Sequence, residues 1–233
     1  PQVWSVPVEG GWPDQLTFYG ERVSEAYFSP TASEIIFAMD AGGNERHALH
    51  LLQRDGARIA QLTAAPEAIH QFGGWSRDGR RIAFAANTRN PAFFDVYVDT
   101  PHASNPRCIL QQDGANYAAG WTVDGKVIAS RFYSNLHNAL FLAGPDGAEP
   151  RLLTLDPAEA EYSFPAATPD GRGLYVVSDL HRDFTALMYL DLTTLELSVV
   201  DAPDWDVEEL ALARDGRLLA FVPTVFGIKE PRH

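Results

Sequence analysis

The sequence predicts an all-β protein assembled from repeated four-stranded antiparallel sheets, and three observations carry that expectation. First, a ten-residue phrase recurs along the chain. Its clearest copy reads Trp75-Ser76-Arg77-Asp78-Gly79-Arg80-Arg81-Ile82-Ala83-Phe84, with counterparts beginning at Phe28, Trp121, Ala167 and Leu212. The copies lie about 46 residues apart, inside the range of propeller blades. Second, four copies centre on an Asp-Gly pair, at 78–79, 124–125, 170–171 and 215–216. Such a pair supplies the positive φ that a tight hairpin needs. Third, helical periodicity is nowhere sustained; residues 157–161 have the composition of one helical turn and no more. Together these predict a β-propeller.

Within one unit the elements follow in order. Phe72 to Trp75 is a short strand ending at the 77–80 turn. Arg81 to Ala86 is apolar and strand-rich, as expected of an inner strand buried on both faces. Residues 88–92 read as a loop, and Asp95 to Asp99 alternates as a half-buried strand does. After a turn region at 101–106, Arg107 to Leu110 forms a fourth, outer strand. The same second-half pattern returns at 48–62, 139–153 and 187–200.

The chain opens with a second half only (Gln2 to Thr17) and closes with a first half only (Glu209 to Val222). It therefore makes five blades if the termini close the last one. The expected units are 28–71, 72–118, 119–164 and 165–209, a last blade shared by 210–222 and 1–18, and a tail over 223–233. The alternative is an open arc of a longer propeller, whose unpaired edges would favour a homo-oligomer formed by strand pairing.

With 45% hydrophobic residues in 233, the chain has enough apolar side chains for a large core. Its formal charge of -13 argues against nucleic acid or an anionic membrane surface as a partner, since both would repel it. Cys108 is the single cysteine, so no internal disulfide forms. This suits a reducing compartment, and a cytoplasmic location is expected. No apolar run approaches the roughly 18 residues of a membrane span. The chain begins at Pro1 without an initiator Met, which leaves a removed targeting segment open.

Three strings carry a family resemblance: Gly74-Trp75-Ser76-Arg77-Asp78-Gly79, Asn87 to Asp95, and Asp204-Trp205-Asp206-Val207-Glu208-Glu209-Leu210. With them the chain resembles the N-terminal propeller of the prolyl oligopeptidase family, near its acylaminoacyl-peptidase and dipeptidyl-aminopeptidase branch. The Asp-Gly repeat alone is shared with Tol-system propellers. The resemblance implies a non-catalytic module that gates short peptides into a separate α/β-hydrolase domain carrying Ser, Asp and His. This chain departs from the family pattern in having no hydrolase domain, so its partner would be such a domain or a peptide or protein ligand. Ser76 begins like a nucleophile elbow, but Asp78 stands where the second glycine belongs and no helix follows. No catalytic residue is therefore expected.

No cofactor or metal is expected either. His47 and His50 fall on opposite faces of a strand. The Asp40 to Glu45 and Asp204 to Asp206 segments are oxygen-rich but lack a full calcium-ligand series, so they read as turns. Trp75 and Trp121 occupy matching positions, which implies a shared packing role between blades. The candidate binding residues are Arg46, Arg89, Asn90, Phe93, Tyr133, His137, His181 and Arg182. They lie in the loops joining second to third strands, on one rim of the disc, where repeat scaffolds carry function. Phe94, Asn135 and Phe184 share those loops. A free-standing binding module using this rim is the alternative to the peptidase reading. A channel enzyme with an axial metal is a third. Replacing Arg89 or Arg182 with Ala is expected to weaken binding without unfolding the disc.

Overall fold

Turn chemistry and strand alternation fold the chain into consecutive antiparallel meanders in the computed structural model, which describes residues 1–53, 58–103, 105–156, 158–225 and 228–229. An N-terminal hairpin, β1 (Trp4–Ser5) and β2 (Asp14–Gln15), comes first. Blade 1 holds β3 (Val23–Phe28), β4 (Glu34–Met39), β5 (Ala48–Gln53) and β6 (Ile59–Gln61). Blade 2 holds β7 (His70–Trp75), β8 (Ile82–Asn90), β9 (Phe93–Asp99) and β10 (Arg107–Leu110). Blade 3 holds β11 (Ala115–Trp121), β12 (Val127–Ser134), β13 (His137–Ala143) and β14 (Arg151–Leu152). Blade 4 holds β15 (Tyr162–Ala167), β16 (Gly173–Ser178), β17 (Ala186–Asp191) and β18 (Leu197–Asp201). A final sheet holds β19 (Val207–Leu212), β20 (Leu219–Val225) and β21 (Ile228–Lys229). No helix occurs among the described residues. Pro157, with which the expected helical turn begins, lies outside them, as does most of the tail beyond Val225.

The first strands β7, β11, β15 and β19 abut one another around the axis, so the axial strand of a blade is its first. The apolar second strands, such as Ile82 to Ala86, lie one place further out and are buried on both faces. Close approach at the axis excludes side chains: a Cβ on Gly73 would sit 2.2 Å from the Ala118 Cβ and 2.6 Å from its carbonyl oxygen. Apolar clusters fill the space between blades; Ile36, Leu49 and Leu51 of blade 1, for example, pack on Ile82 and Phe84 of blade 2. The matched tryptophans act alike, as expected. Trp121 Nε1 donates to the Gly74 carbonyl (3.0 Å) and Trp75 Nε1 to the Tyr27 carbonyl (3.4 Å), each reaching the blade before its own.

The N-terminal hairpin repeats the bonding of the outer strand pairs of blades 1 and 3. Its Leu16 N donates to Val3 O at 2.9 Å, as Leu62 N does to Leu49 O and Leu153 N to Leu140 O. Thr17, Thr63 and Thr154 staple the three copies alike, each hydroxyl oxygen accepting from a backbone N–H, that of Val3, Leu49 and Leu140 in turn. Val3 and Leu16 pack on blade 1, whereas Val207 and Phe221 pack on Val177 and Leu187 of blade 4. Among the described residues no strand ladder joins β1–β2 to β19–β21. The last sheet is tied to blades 1 and 2 on the turn face instead. Arg214 Nη1 donates to Pro30 O (3.0 Å) and its Nη2 to Arg77 O (2.9 Å), linking the last sheet to blades 1 and 2. β20 also runs on to Val225, past Val222 where the repeat was expected to stop.

Candidate functional site

The rim predicted from sequence is built differently from a set of loops. β8 extends to Asn90 and β9 starts at Phe93, with Asn90 and Phe93 paired in register. The expected 88–92 loop is thus mostly strand, and a two-residue turn remains. Asn90 Oδ1 accepts from Ala92 N at 2.9 Å to hold it. In blade 3, Ser134 pairs with His137 in the same way. Arg89, Asn90, Phe93, Tyr133 and His137 therefore sit on rigid hairpins rather than loops.

The structure divides the eight candidates into three groups. The largest spans blades 2 and 3. Arg89 forks onto Asp95, Nε to Oδ2 at 2.7 Å and Nη2 to Oδ1 at 3.0 Å, and reaches Asp113 with Nη1 at 2.8 Å. Its guanidinium lies 5.3 Å from the Phe93 ring centre. Hydrogen bonds to Asp95, then to Asp113, hold the Arg89 pKa above its ordinary value. Asp95 is fully buried, so this bidentate pair is its charge compensation. Asp113 O accepts from Arg131 Nη2 at 3.2 Å, Arg131 stacks 5.2 Å from the Tyr133 ring, and Tyr133 stacks on His137. The second group is Arg46, paired with Glu67 on the connection to blade 2. The third is His181, whose Nε2 lies 2.9 Å from Asp156 Oδ2. His181 has φ 56°, a left-handed strain that this contact helps to hold. The Ala158 N–H first and His181 second hold the Asp156 carboxyl below its ordinary range. Arg182 is exposed beside His181; its N–H closes a turn on Asp179 O at 2.8 Å.

The rim also carries residues that the sequence reading passed over. Arg131 stands where blades 2 and 4 have Ala86 and Ser178, one residue before the loop that was singled out. Beside Ala86 and Thr88 a crevice of 320 Å³ opens between blades 1 and 2. Between blades 2 and 3 Arg131 bonds Gln112 and Asp113 there. The signal in sequence was a charge at a position that is uncharged in the other blades.

Other candidates resolve as turns and staples. Ser76 is buried; its Oγ donates to Asp78 Oδ1 (2.7 Å) and accepts from Arg81 N (2.9 Å). Thr168 does the same with Asp170 and Gly173. Asp40 accepts from Glu45 N and Asp206 from Thr185 N, both at 2.9 Å. Asn138 is buried and binds blade 3 to blade 4, with Nδ2 to Tyr162 O (2.9 Å) and Oδ1 from Tyr162 N (2.7 Å). Among the described residues no three His, Cys, Asp or Glu side chains converge as a metal-ligand set. Among the described residues there is no helix long and apolar enough to span a membrane, which says nothing about β-barrels.

No family model matches the sequence, and no curated protein does. Solved structures match in fold. A prolyl endopeptidase superposes with a TM-score of 0.77 over 99% of this chain and 37% of its own, at 13% identity. TolB from Acinetobacter baumannii gives 0.69 over 99% of this chain and 56% of its own, at 14% identity. The chain is a β-propeller. Oligogalacturonate lyase in complex with manganese, at 14% identity, gives 0.72 over 96% of this chain and 65% of its own. The likeness to prolyl oligopeptidase propellers expected from the sequence strings thus extends to three dimensions, as a likeness of fold. This propeller spans little more than half of the TolB chain and just over a third of the endopeptidase.

Proposed function

We propose that this propeller is a non-catalytic, substrate-selecting module of a prolyl-oligopeptidase-like serine peptidase, whose hydrolase machinery another domain supplies. One observation carries the reading. The one Gly-x-Ser in the chain puts its serine in a buried hairpin staple, with its hydroxyl committed to Asp78 and Arg81 N, instead of on a nucleophile elbow. What remains for this chain is binding. The resemblance of the sequence strings to the prolyl oligopeptidase family favours short peptides as what is bound.

The test is direct. The purified chain, mixed with aminoacyl and prolyl peptide substrates, leaves them intact, yet binds short peptides in calorimetry. Amide cleavage by the chain alone would contradict the reading, and so would a lack of peptide binding.

A second reading, a free-standing module that docks a protein partner through the rim, draws on the tip of the β12–β13 hairpin. There Tyr133 and Leu136 are 52% and 74% exposed beside Phe132. Aromatic side chains of this kind are favoured in interface cores. Full peptide binding by Tyr133→Ala and Leu136→Ala variants that no longer capture a protein partner would favour it.

A further inference from the structure

The face opposite the rim carries the Asp-Gly turns, and a cavity of 440 Å³ opens among those of blades 2 and 3 and the last sheet. Arg77, Arg81 and Arg214 line it. Arg77 and Arg214 grip one another's backbone: Arg77 Nη2 donates to Arg214 O at 2.8 Å, and Arg214 Nη2 to Arg77 O at 2.9 Å. Arg81 lies over the Trp121 ring, 5.3 Å from its centre. Among the described residues none of the three has a carboxylate within ion-pair distance, although the chain has 31 acidic residues against 18 basic ones.

The two carboxylates that also line the cavity are held by their own hairpins. Asp78 accepts from Ser76 Oγ and Arg80 N, which hold its pKa low, with the Arg81 and Arg80 charges adding a smaller share. Asp124 is bonded by Thr122 and paired with Lys126 at 2.8 Å. Two guanidinium groups are thus fixed side by side through carbonyls, with a third nearby. Like charges held together favour a counter-ion between them. Arg77 spends one of its five donors on the contact and Arg214 two, which leaves donors for ligand oxygens. The guanidinium fork matches the paired oxygens of carboxylate and phosphate.

We propose that this mouth is an oxyanion-binding site in which Arg77, Arg81 and Arg214 together hold a phosphate or carboxylate group. The inference does not depend on the peptidase reading. It concerns the turn face, whereas the sequence reading looked to the rim.

The experiment is calorimetry on the whole chain at low ionic strength. The probes are inorganic phosphate, a short peptide with a free C-terminal carboxylate, and the same peptide as its amide. One oxyanion is expected to bind per chain. R77Q and R81Q each weaken it by about tenfold or more, the scale of a lost charge-assisted hydrogen bond. R81Q is the cleaner variant, because the Arg81 side chain makes no hydrogen bond among the described residues, whereas Arg77 also helps to tie the last sheet. R151Q removes the same charge from the exposed strand β14 and leaves affinity within about twofold, since a remote exposed charge is largely screened. Binding of the peptide acid but not its amide assigns the site to carboxylates. Binding of phosphate alone assigns it to phosphate. Failure of both probes to bind, unchanged affinity in R77Q and R81Q, or an equal loss in R151Q overturns the proposal.

Discussion

Three basic side chains of the rim and two at the mouth on the turn face are held in opposite ways. On the rim Arg46, Arg89 and His181 each have an acidic partner on a neighbouring segment: Glu67, Asp95 with Asp113, and Asp156. On the turn face Arg77 and Arg214 are held by backbone carbonyls and keep their charge uncompensated. A basic residue that stands out in an acidic sequence is therefore no guide to an available charge. Availability depends on what the connection to the next blade brings opposite it. Those three rim cations are neutralised by acidic partners, while the cations of the mouth are left for a ligand.

The comparison can be broken first through stability. Asn138→Ala removes three buried hydrogen bonds between and within blades 3 and 4, including Nδ2 to Ser130 Oγ at 2.6 Å. Stranding those partners is expected to cost about 3 kcal/mol, read from the urea midpoint. A loss under about 1 kcal/mol would show that the rim side of the seam between these blades is not held by this staple.

Arg89→Ala comes next. It leaves the buried Asp95 carboxylate without its fork, so the melting temperature falls. The double variant with Asp95→Asn recovers part of the loss, because no buried charge is then left unpaired. This differs from the expectation that Arg89 could be removed without cost to the disc. Arg182→Ala, at an exposed position, leaves the melting temperature unchanged. Equal effects of the two variants would erase the distinction between paired and unpaired rim residues.

Acid sharpens the account further. His50 and His70 are buried, and burial lowers both below their ordinary 6.5 despite hydrogen bonds to the Ala48 and His47 carbonyls. The folded protein holds them neutral. As pH falls through 6.5 the unfolded chain binds protons first, so stability is full above that value and declines from there towards the folded pKa values. His70→Asn flattens that decline in a series of melts; an unchanged slope would remove His70 as its source. The smallest effect belongs to Arg46→Ala. It breaks an exposed pair, its side chains 44% and 82% accessible, and costs about 0.5 kcal/mol or less.

Most of the fold was legible because each blade repeats the same local chemistry. Gly79, Gly125, Gly171 and Gly216 of the repeated turns have φ between 69° and 81°, and the Ser or Thr two residues before the Asp staples blades 2, 3 and 4 alike. Local rules suffice where partners are close in sequence. They failed where Pro91 and polar neighbours made a hairpin look like a loop, since the Asn90–Phe93 register depends on the whole ladder. The site was less legible because its pairing is non-local. Asp113 lies 24 residues from Arg89, and Arg214 lies 137 from Arg77. Asp95 lies only six residues from Arg89, but nothing in the local sequence shows that it is buried and takes the fork, nor that Arg77 meets only carbonyls. Arg131 was visible only as a charged residue where the other blades have Met39, Ala86, Ser178 and Pro223.

The difference between the two faces can be read residue by residue in arginine side-chain NMR as inorganic phosphate is added at low salt. The Nε–Hε signals of Arg77, Arg81 and Arg214 are predicted to shift together and to saturate, while those of Arg46 and Arg89 stay in place. Shifts at Arg46 and Arg89 with none at the turn face would contradict the account.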